Sequence, residues 1–185
     1  MGLDIKEIEL IQGCKQGNSV CQREFYELHC RKVMGVCVRY LKDTDEAKDA
    51  MQETFIKAFE KIETFKGECQ VEFWLRKIAV NMSLNKIRSN KRFITEDLSE
   101  YSGELCSQND VFSKMSTDDI LKAVHTLPEG ARAVFNLKAI EGYGHAEIAT
   151  MFGISEGTSK SQYARAKSYL QKVLSEKVEL ESELA

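Results

Sequence analysis

Apolar residues in the first half of the chain recur every three or four positions, the spacing that gathers them on one face of a helix. Four helices are predicted there: residues 5–16, 20–41, 46–64 and 71–90. The first stops at Gly17-Asn18-Ser19, where glycine ends a helix and serine can cap the next. The second carries Phe25, Leu28, Val33, Val36 and Tyr40 among its apolar positions, and Asp43-Thr44-Asp45 after it reads as turn and cap. Met51, Phe55, Ala58, Ile62 and Phe65 form the stripe of the third. Residues 66–70 are a loop. Trp74, Leu75, Ile78, Leu84 and Ile87 mark the inner side of the fourth helix.

The periodicity lapses over residues 93–116, a stretch rich in Ser, Glu, Asp and Gly that reads as a flexible acidic linker. It resumes in a smaller helical unit: residues 118–126, residues 128–141 with Pro128 in the first turn, and then residues 144–174. The last segment divides in two. A short helix carries Ile148, Ala149 and Phe152; Gly153-Ile154-Ser155 turns the chain; Ser155 caps a longer helix. That longer helix holds Lys160, Arg165, Lys167 and Lys172, opposed only by Glu156 before Glu176. This is the layout of a helix-turn-helix whose second helix enters the major groove of DNA. Beyond about Lys177 the acidic end is expected to fray. The fold class expected is all-α: two small helical domains on a flexible linker.

Charge sharpens the picture. The 185 residues carry a formal net charge of −3, which excludes a uniformly basic nucleic-acid binder. The charges are segregated, however. Six Lys/Arg and no acid lie between Trp74 and Arg92, and seven acids with one Lys lie between Phe93 and Asp119. Basic stretches inside an acidic chain suggest local DNA contacts. No apolar run is long enough to cross a membrane, and the start, MGLDIKEIEL, lacks the regions of a signal peptide, so the chain reads as cytosolic. The six cysteines form no CxxC pair. They read as small buried hydrophobes in a reducing compartment, with Cys30 and Cys37 on one helix face and Cys69 in a loop.

Catalytic constellations do not stand out. His29, His125 and His145 are scattered, and no ligand spacing or phosphate-binding glycine loop implies a cofactor or metal. Asp45, Asp49 and Glu53, with Gln52, share one side of a helix. They fit either a solvated face or a docking stripe for a basic partner. The fourth predicted helix brings Phe73 and Trp74 together with Arg76, Lys77, Asn81, Asn85, Lys86, Arg88, Lys91 and Arg92. Basic residues track phosphates, and aromatics and amides stack on or hydrogen-bond exposed bases. The competing reading makes Trp74 core and the charges a solvated face. A basic helix and a helix-turn-helix on one chain favour two-point DNA binding.

These residues together resemble the extracytoplasmic-function sigma factors, small two-domain sigma subunits of bacterial RNA polymerase. The run from Asp45 to Phe55, DEAKDAMQETF, resembles the family's polymerase-binding helix. Phe65, Gly67, Trp74-Leu75, Ile78-Ala79, Asn81, Ile87-Arg88 and Arg92 resemble its promoter-melting segment. Leu127-Pro128-Glu129, Glu141-Gly142-Tyr143, Glu147-Ile148-Ala149, Gly157-Thr158 and Arg165-Ala166 resemble its C-terminal domain. The resemblance implies three parts: residues 5–92 bind core polymerase and the −10 element, residues 93–116 link, and residues 117–178 read the −35 element. Asp45, Asp49, Gln52 and Glu53 would dock on the polymerase's largest subunit. Lys66, Gly67, Glu68 and Cys69 would receive a flipped −10 base, and Trp74, Arg76, Lys77, Asn81, Arg88 and Arg92 would surround the separated strand. Ser155, Thr158, Ser159, Lys160, Ser161, Gln162 and Arg165 would read the −35 element, with Arg132 on phosphate. Promoter DNA, core polymerase and an anti-sigma factor are the implied partners, and no catalysis of its own is expected. Several positions depart from the family pattern: Ser159 where an apolar residue is usual, Gln162 where Arg is usual, Tyr163 where Leu or Ile is usual, Asn85 where an acid is common, and Glu156, acidic at the helix start. Gln162 suits adenine by side-chain geometry. The alternatives are a stand-alone helix-turn-helix regulator, expected to dimerise, and a helical enzyme or metal protein.

Overall fold

A computed structural model describes residues 5–89 and 116–183. Among the described residues every regular element is helical, and the chain divides into two compact units, Met1–Asn90 and Lys91–Ala185. The expected all-α class is what is observed. Arg92 and Cys106, and most of the expected linker, lie outside the described residues.

The first unit contains α1 (Ile5–Lys15), α2 (Ser19–Tyr40), α3 (Thr44–Lys61) and α4 (Val71–Ser89). Its junctions are set by side-chain caps. Gly17 takes a left-handed φ of 73° and stops α1. Asn18, not Ser19, then caps α2: its Oδ1 accepts from the amides of Val20 (2.9 Å) and Cys21 (3.3 Å). Ser19 is thereby the first helical residue. Asp43 Oδ1 accepts from the amides of Asp45 and Glu46 at 2.9 Å each, so α3 begins two residues before the expected start. A 3₁₀ turn, Ile62–Thr64, closes α3.

The core of this unit is built from the predicted stripes. Phe25, Val33, Val36 and Tyr40 of α2 are buried with Phe55, Ala58 and Ile62, and with Leu75, Ile78, Leu84 and Ile87 of α4. Phe55 meets Tyr26 edge-on at 4.7 Å, and Phe25 meets Phe59 at 6.0 Å. Leu28 departs from its stripe and is exposed. Trp74 is half-buried, its ring tilted at 45° against that of Phe65, 5.2 Å between centroids. Buried hydroxyls bond back into their own helices, Thr54 to the Ala50 carbonyl (2.7 Å) and Ser83 to that of Ala79 (2.9 Å). Cys37 is buried as expected, its thiol pushed up to about 11 by burial, whereas Cys30 is only half-buried and Cys69 is exposed.

The second unit contains α5 (Thr117–Thr126), α6 (Glu129–Phe135), α7 (His145–Phe152) and α8 (Glu156–Glu183). Pro128 occupies the cap of α6 and not its first turn; its carbonyl accepts from the Arg132 amide at 2.9 Å. The helix expected over residues 128–141 is not uniform: Asn136–Ile140 widens into a π-helical turn. Ala123, Val124, Leu127 and Ala131 pack against Ala166, Leu170 and Leu174 of α8. The α8 backbone stays helical to Glu183, past the expected fraying point, through a run of strong helix formers.

Candidate nucleic-acid interface

Two neighbouring faces of the first unit concentrate the sequence-predicted residues. On α3, Ala47, Ala50 and Thr54 turn inward, which leaves Asp45, Asp49, Gln52 and Glu53 outward. Ile56, one turn further on this side, is 61% exposed, an apolar residue on the polar face. Asp45 accepts a hydrogen bond from Lys48 Nζ at 2.8 Å, and that contact holds its carboxyl below the usual range. Lys86 reaches across from α4, its Nζ 3.6 Å from Asp49 Oδ2 and 3.3 Å from Glu53 Oε1. The carboxylates of α3 and a cation of the basic helix therefore already touch.

On α4 the exposed residues Phe73, Lys77, Asn81, Asn85 and Arg88 follow one another at steps of four, four, four and three, a single outward stripe. Phe73 is 56% exposed at its head. Arg76 is half-buried at the border of the stripe. An aromatic ring, cations and amides in one row form the chemistry that grips single-stranded nucleic acid. The loop before α4 exposes Lys66, Gly67, Glu68 and Cys69, and turns at Gly67 with φ 74°. Lys15 Nζ of α1 donates to the Phe65 carbonyl at 2.9 Å and ties this loop down. Between them lies a cavity of about 130 Å³, lined by Ile8, Ile11, Gln12, Lys15, Phe65 and Lys66, among others.

In the second unit the helix-turn-helix is built as its sequence dictates. The Gly144 amide donates to Glu147 Oε2 at 2.7 Å and fixes the start of α7. Ile148 and Ala149 are buried. Gly153 adopts φ 65°, a conformation that L side chains rarely adopt, and turns the chain. Ser155 Oγ accepts from the Thr158 amide at 2.9 Å and so caps α8. The outward side of α8 presents Ser155, Lys160, Ser161 and Arg165, with Thr158 and Gln162 half-buried beside them. Glu156 pairs with Lys160 at 2.6 Å, which holds its carboxyl below the usual range and takes up part of the helix's positive charge.

Two residues expected on the duplex are turned inward. Ser159 is 0% exposed, and its Oγ lies 3.0 Å from His145 Nδ1 of α7. Arg132 is 4% exposed, and its Nη1 donates to the Leu127 carbonyl at 3.1 Å. Both side chains are turned into the unit here, on His145 and the Leu127 carbonyl. Gln162 keeps its Oε1 enclosed without a hydrogen-bond partner. The residues that sequence reasoning passed over are Ile56, and Lys86 as a bridge between α3 and α4. Ile56 was legible as an apolar residue out of phase with its stripe. The reach of Lys86 needed the packing of the two helices. Among the described residues no group of three His, Cys, Asp or Glu side chains is placed to hold a metal ion, and no helix is long and apolar enough to cross a membrane.

Comparison with known proteins places both units. The sigma-70 region 2 family matches residues 25–93, and the sigma-70 region 4 family matches residues 117–170. The chain is 32% identical over 156 residues to the RNA polymerase sigma-H factor of Pseudomonas aeruginosa, covering 77% of this chain and 80% of that one. It is 27% identical over 183 residues to the ECF RNA polymerase sigma-E factor of Haemophilus influenzae, covering 92% and 96%. In fold it is similar to the sigma factor RpoE of Bartonella quintana, solved in complex with the anti-sigma factor NepR. The TM-score there is 0.50 at 22% identity, over 83% of this chain and 96% of that one.

Proposed function

The chain belongs to the sigma-70 family as an extracytoplasmic-function sigma factor, and from that membership we propose how its residues divide the work of starting transcription. As an RNA polymerase sigma factor it directs core polymerase to promoters and supports their opening. It is an initiation factor, and no reaction of its own is assigned to it. Residues 5–92 act as region 2, residues 93–116 as the linker and residues 117–178 as region 4. It works where the polymerase works, in the cytoplasm.

Core polymerase docks on Asp45, Asp49, Gln52 and Glu53, with exposed Ile56 adding an apolar contact at the end of the stripe. The separated −10 strand runs along Phe73, Lys77, Asn81 and Arg88, bordered by Trp74 and Arg76, and Arg92 extends the same basic run in sequence. A flipped base enters beside Lys66, Gly67, Glu68 and Cys69. Stacking one base on an exposed ring contributes about 1–3 kcal/mol, enough to offset much of the cost of flipping it. The −35 duplex is read by Ser155, Thr158, Lys160, Ser161, Gln162 and Arg165. An anti-sigma factor, such as the Bartonella quintana sigma factor is solved with, masks these faces when the protein is idle.

The observation that carries this reading is the adjacency, within one unit, of an exposed acidic face on α3 and an exposed aromatic, basic and amide stripe on α4. A stand-alone regulator has no use for the acidic face. The test is co-elution of the purified chain with bacterial core polymerase on size exclusion, beside an Asp49/Gln52/Glu53 triple-alanine variant. A complex that the variant loses supports the assignment. No complex with the wild-type chain, together with dimeric binding to a palindromic duplex, would overturn it.

A further inference from the structure

We propose that His145, Ser159 and Tyr163 form a polar and aromatic latch that sets how α8 is held against α7, which makes His145 and Ser159 positioning residues for −35 discrimination. The inference rests on the reading of α8 as the −35 helix. Three observations carry it.

Ser159 is fully buried on the inner side of α8, and its hydroxyl meets the His145 ring nitrogen at 3.0 Å, fourteen residues away on α7. One turn along the same side of α8, the Tyr163 ring meets the His145 ring edge-on, at 5.7 Å and 63°. The far face of Tyr163 stacks on Phe135, just before the π-helical turn, at 6.0 Å and 19°. A single column, Phe135–Tyr163–His145–Ser159, thus ties α6 and α7 to the helix that presents Lys160, Ser161 and Arg165 on its opposite side.

The column also accounts for two of the departures from the family pattern, at residues 159 and 163. Residues 159 and 163 are the positions where this chain replaces apolar side chains, and both replacements face the same histidine. Without His145, a hydroxyl at 159 would have only its own helix to bond; a histidine at 145 without Ser159 would lose its directional partner. Apolar packing tolerates small slides between helices, whereas a hydrogen bond fixes distance and angle. Because the reading residues sit on the same rigid helix as the latch, a shift of α8 by a fraction of an ångström moves all of them at once. The latch touches no base itself.

The test uses holoenzymes assembled from core polymerase and the full chain, wild type or carrying Ser159→Ala, Ser159→Thr, His145→Phe, or Ser159→Ala with His145→Phe. Each is assayed for binding to a promoter library randomised over the −35 element with a constant −10 element. Discrimination is the ratio of binding to the preferred −35 sequence over the library mean. Ser159→Ala and His145→Phe are each expected to lower that ratio, roughly two- to tenfold, the net worth of one hydrogen bond. The double variant should lose no more than either single one, because both remove the same bond. Ser159→Thr, which keeps the hydroxyl, should retain discrimination. Core affinity, set by the other unit, serves as the control and should not move. Unchanged discrimination in both single variants, or losses that multiply in the double variant, would overturn the latch while leaving the assignment of α8 intact. A wild-type holoenzyme indifferent to the −35 sequence would overturn both.

Discussion

His29 is 1% exposed and packs on Phe25 at 4.7 Å, with Nε2 3.7 Å from Glu7 Oε1. It borders a cleft of about 640 Å³ that faces Lys6 and Glu7 of α1, Glu24 and Glu27 of α2 and Glu72 of α4; Glu72 in turn pairs with Lys32. Burial lowers its pKa; Glu72 opposes that shift and Lys32 adds to it. The folded ring therefore binds a proton less readily than the unfolded one, whose pKa is about 6.5. Stability from this group is complete above that value and is lost as pH falls toward the folded pKa. The melting temperature should decline as the buffer is taken below pH ~6.5, and His29→Phe should flatten the decline; an equal slope in the variant would remove His29 as its source. His145 is shifted in the same direction, by burial first and then by Lys138 and Lys160, but its exposure makes its share small. Ile56 offers a second residue-scale test. It is exposed, so Ile56→Ser should leave folding nearly unchanged. If docking buries it, the change should weaken core binding roughly tenfold, read by titration of labelled core polymerase.

Between elements, close approach decides what the helices tolerate. A Cβ added at Gly13 would lie 2.2 Å from Cys21 Sγ and 2.7 Å from its Cβ, where α1 crosses α2. Gly13→Ala should gain helix propensity but cost about 1–3 kcal/mol through overpacking, with net destabilisation in urea melts. At Gly153, whose φ is 65°, alanine should cost about 1–2 kcal/mol from backbone strain alone, and −35 binding should fall with the turn. Much of this architecture was legible in the sequence, because helical periodicity reports burial directly: Phe55, Ala58 and Ile62, and Leu75, Ile78 and Leu84, lie where their spacing placed them. The features that escaped depend on neighbours. Leu28 is apolar but stays exposed at the edge of the cleft beside α1. The π-helical turn at Asn136–Ile140 leaves no mark in a pattern that reads equally well as α-helix. Ser159 and Arg132 carry side chains that suit DNA, and only packing reveals that their partners are His145 and the Leu127 carbonyl.

For the whole molecule, the two DNA contacts proposed for this chain would reinforce each other without new contacts, because the second binds at the high local concentration set by the first. A holoenzyme on a promoter with intact −10 and −35 elements should bind roughly a hundredfold tighter than on one with a scrambled −35 element, and the gain should shrink with added salt. Lys86 lends the assembly one more property. Its ammonium sits against Asp49 and Glu53, so the carboxylate face of α3 and the basic stripe of α4 draw on the same charge. In the proposed docking, a basic partner that neutralises the two carboxylates would release Lys86 to the α4 stripe. Thermodynamic linkage then requires the converse: a strand that engages Lys86 must strengthen docking by the same factor. Core affinity should rise when a single-stranded −10 oligonucleotide is present, and Lys86→Met should abolish that rise; an enhancement that survives the substitution would trace the coupling elsewhere. Under the proposed docking, partner and promoter would be joint ligands of one side chain, each an effector of the other.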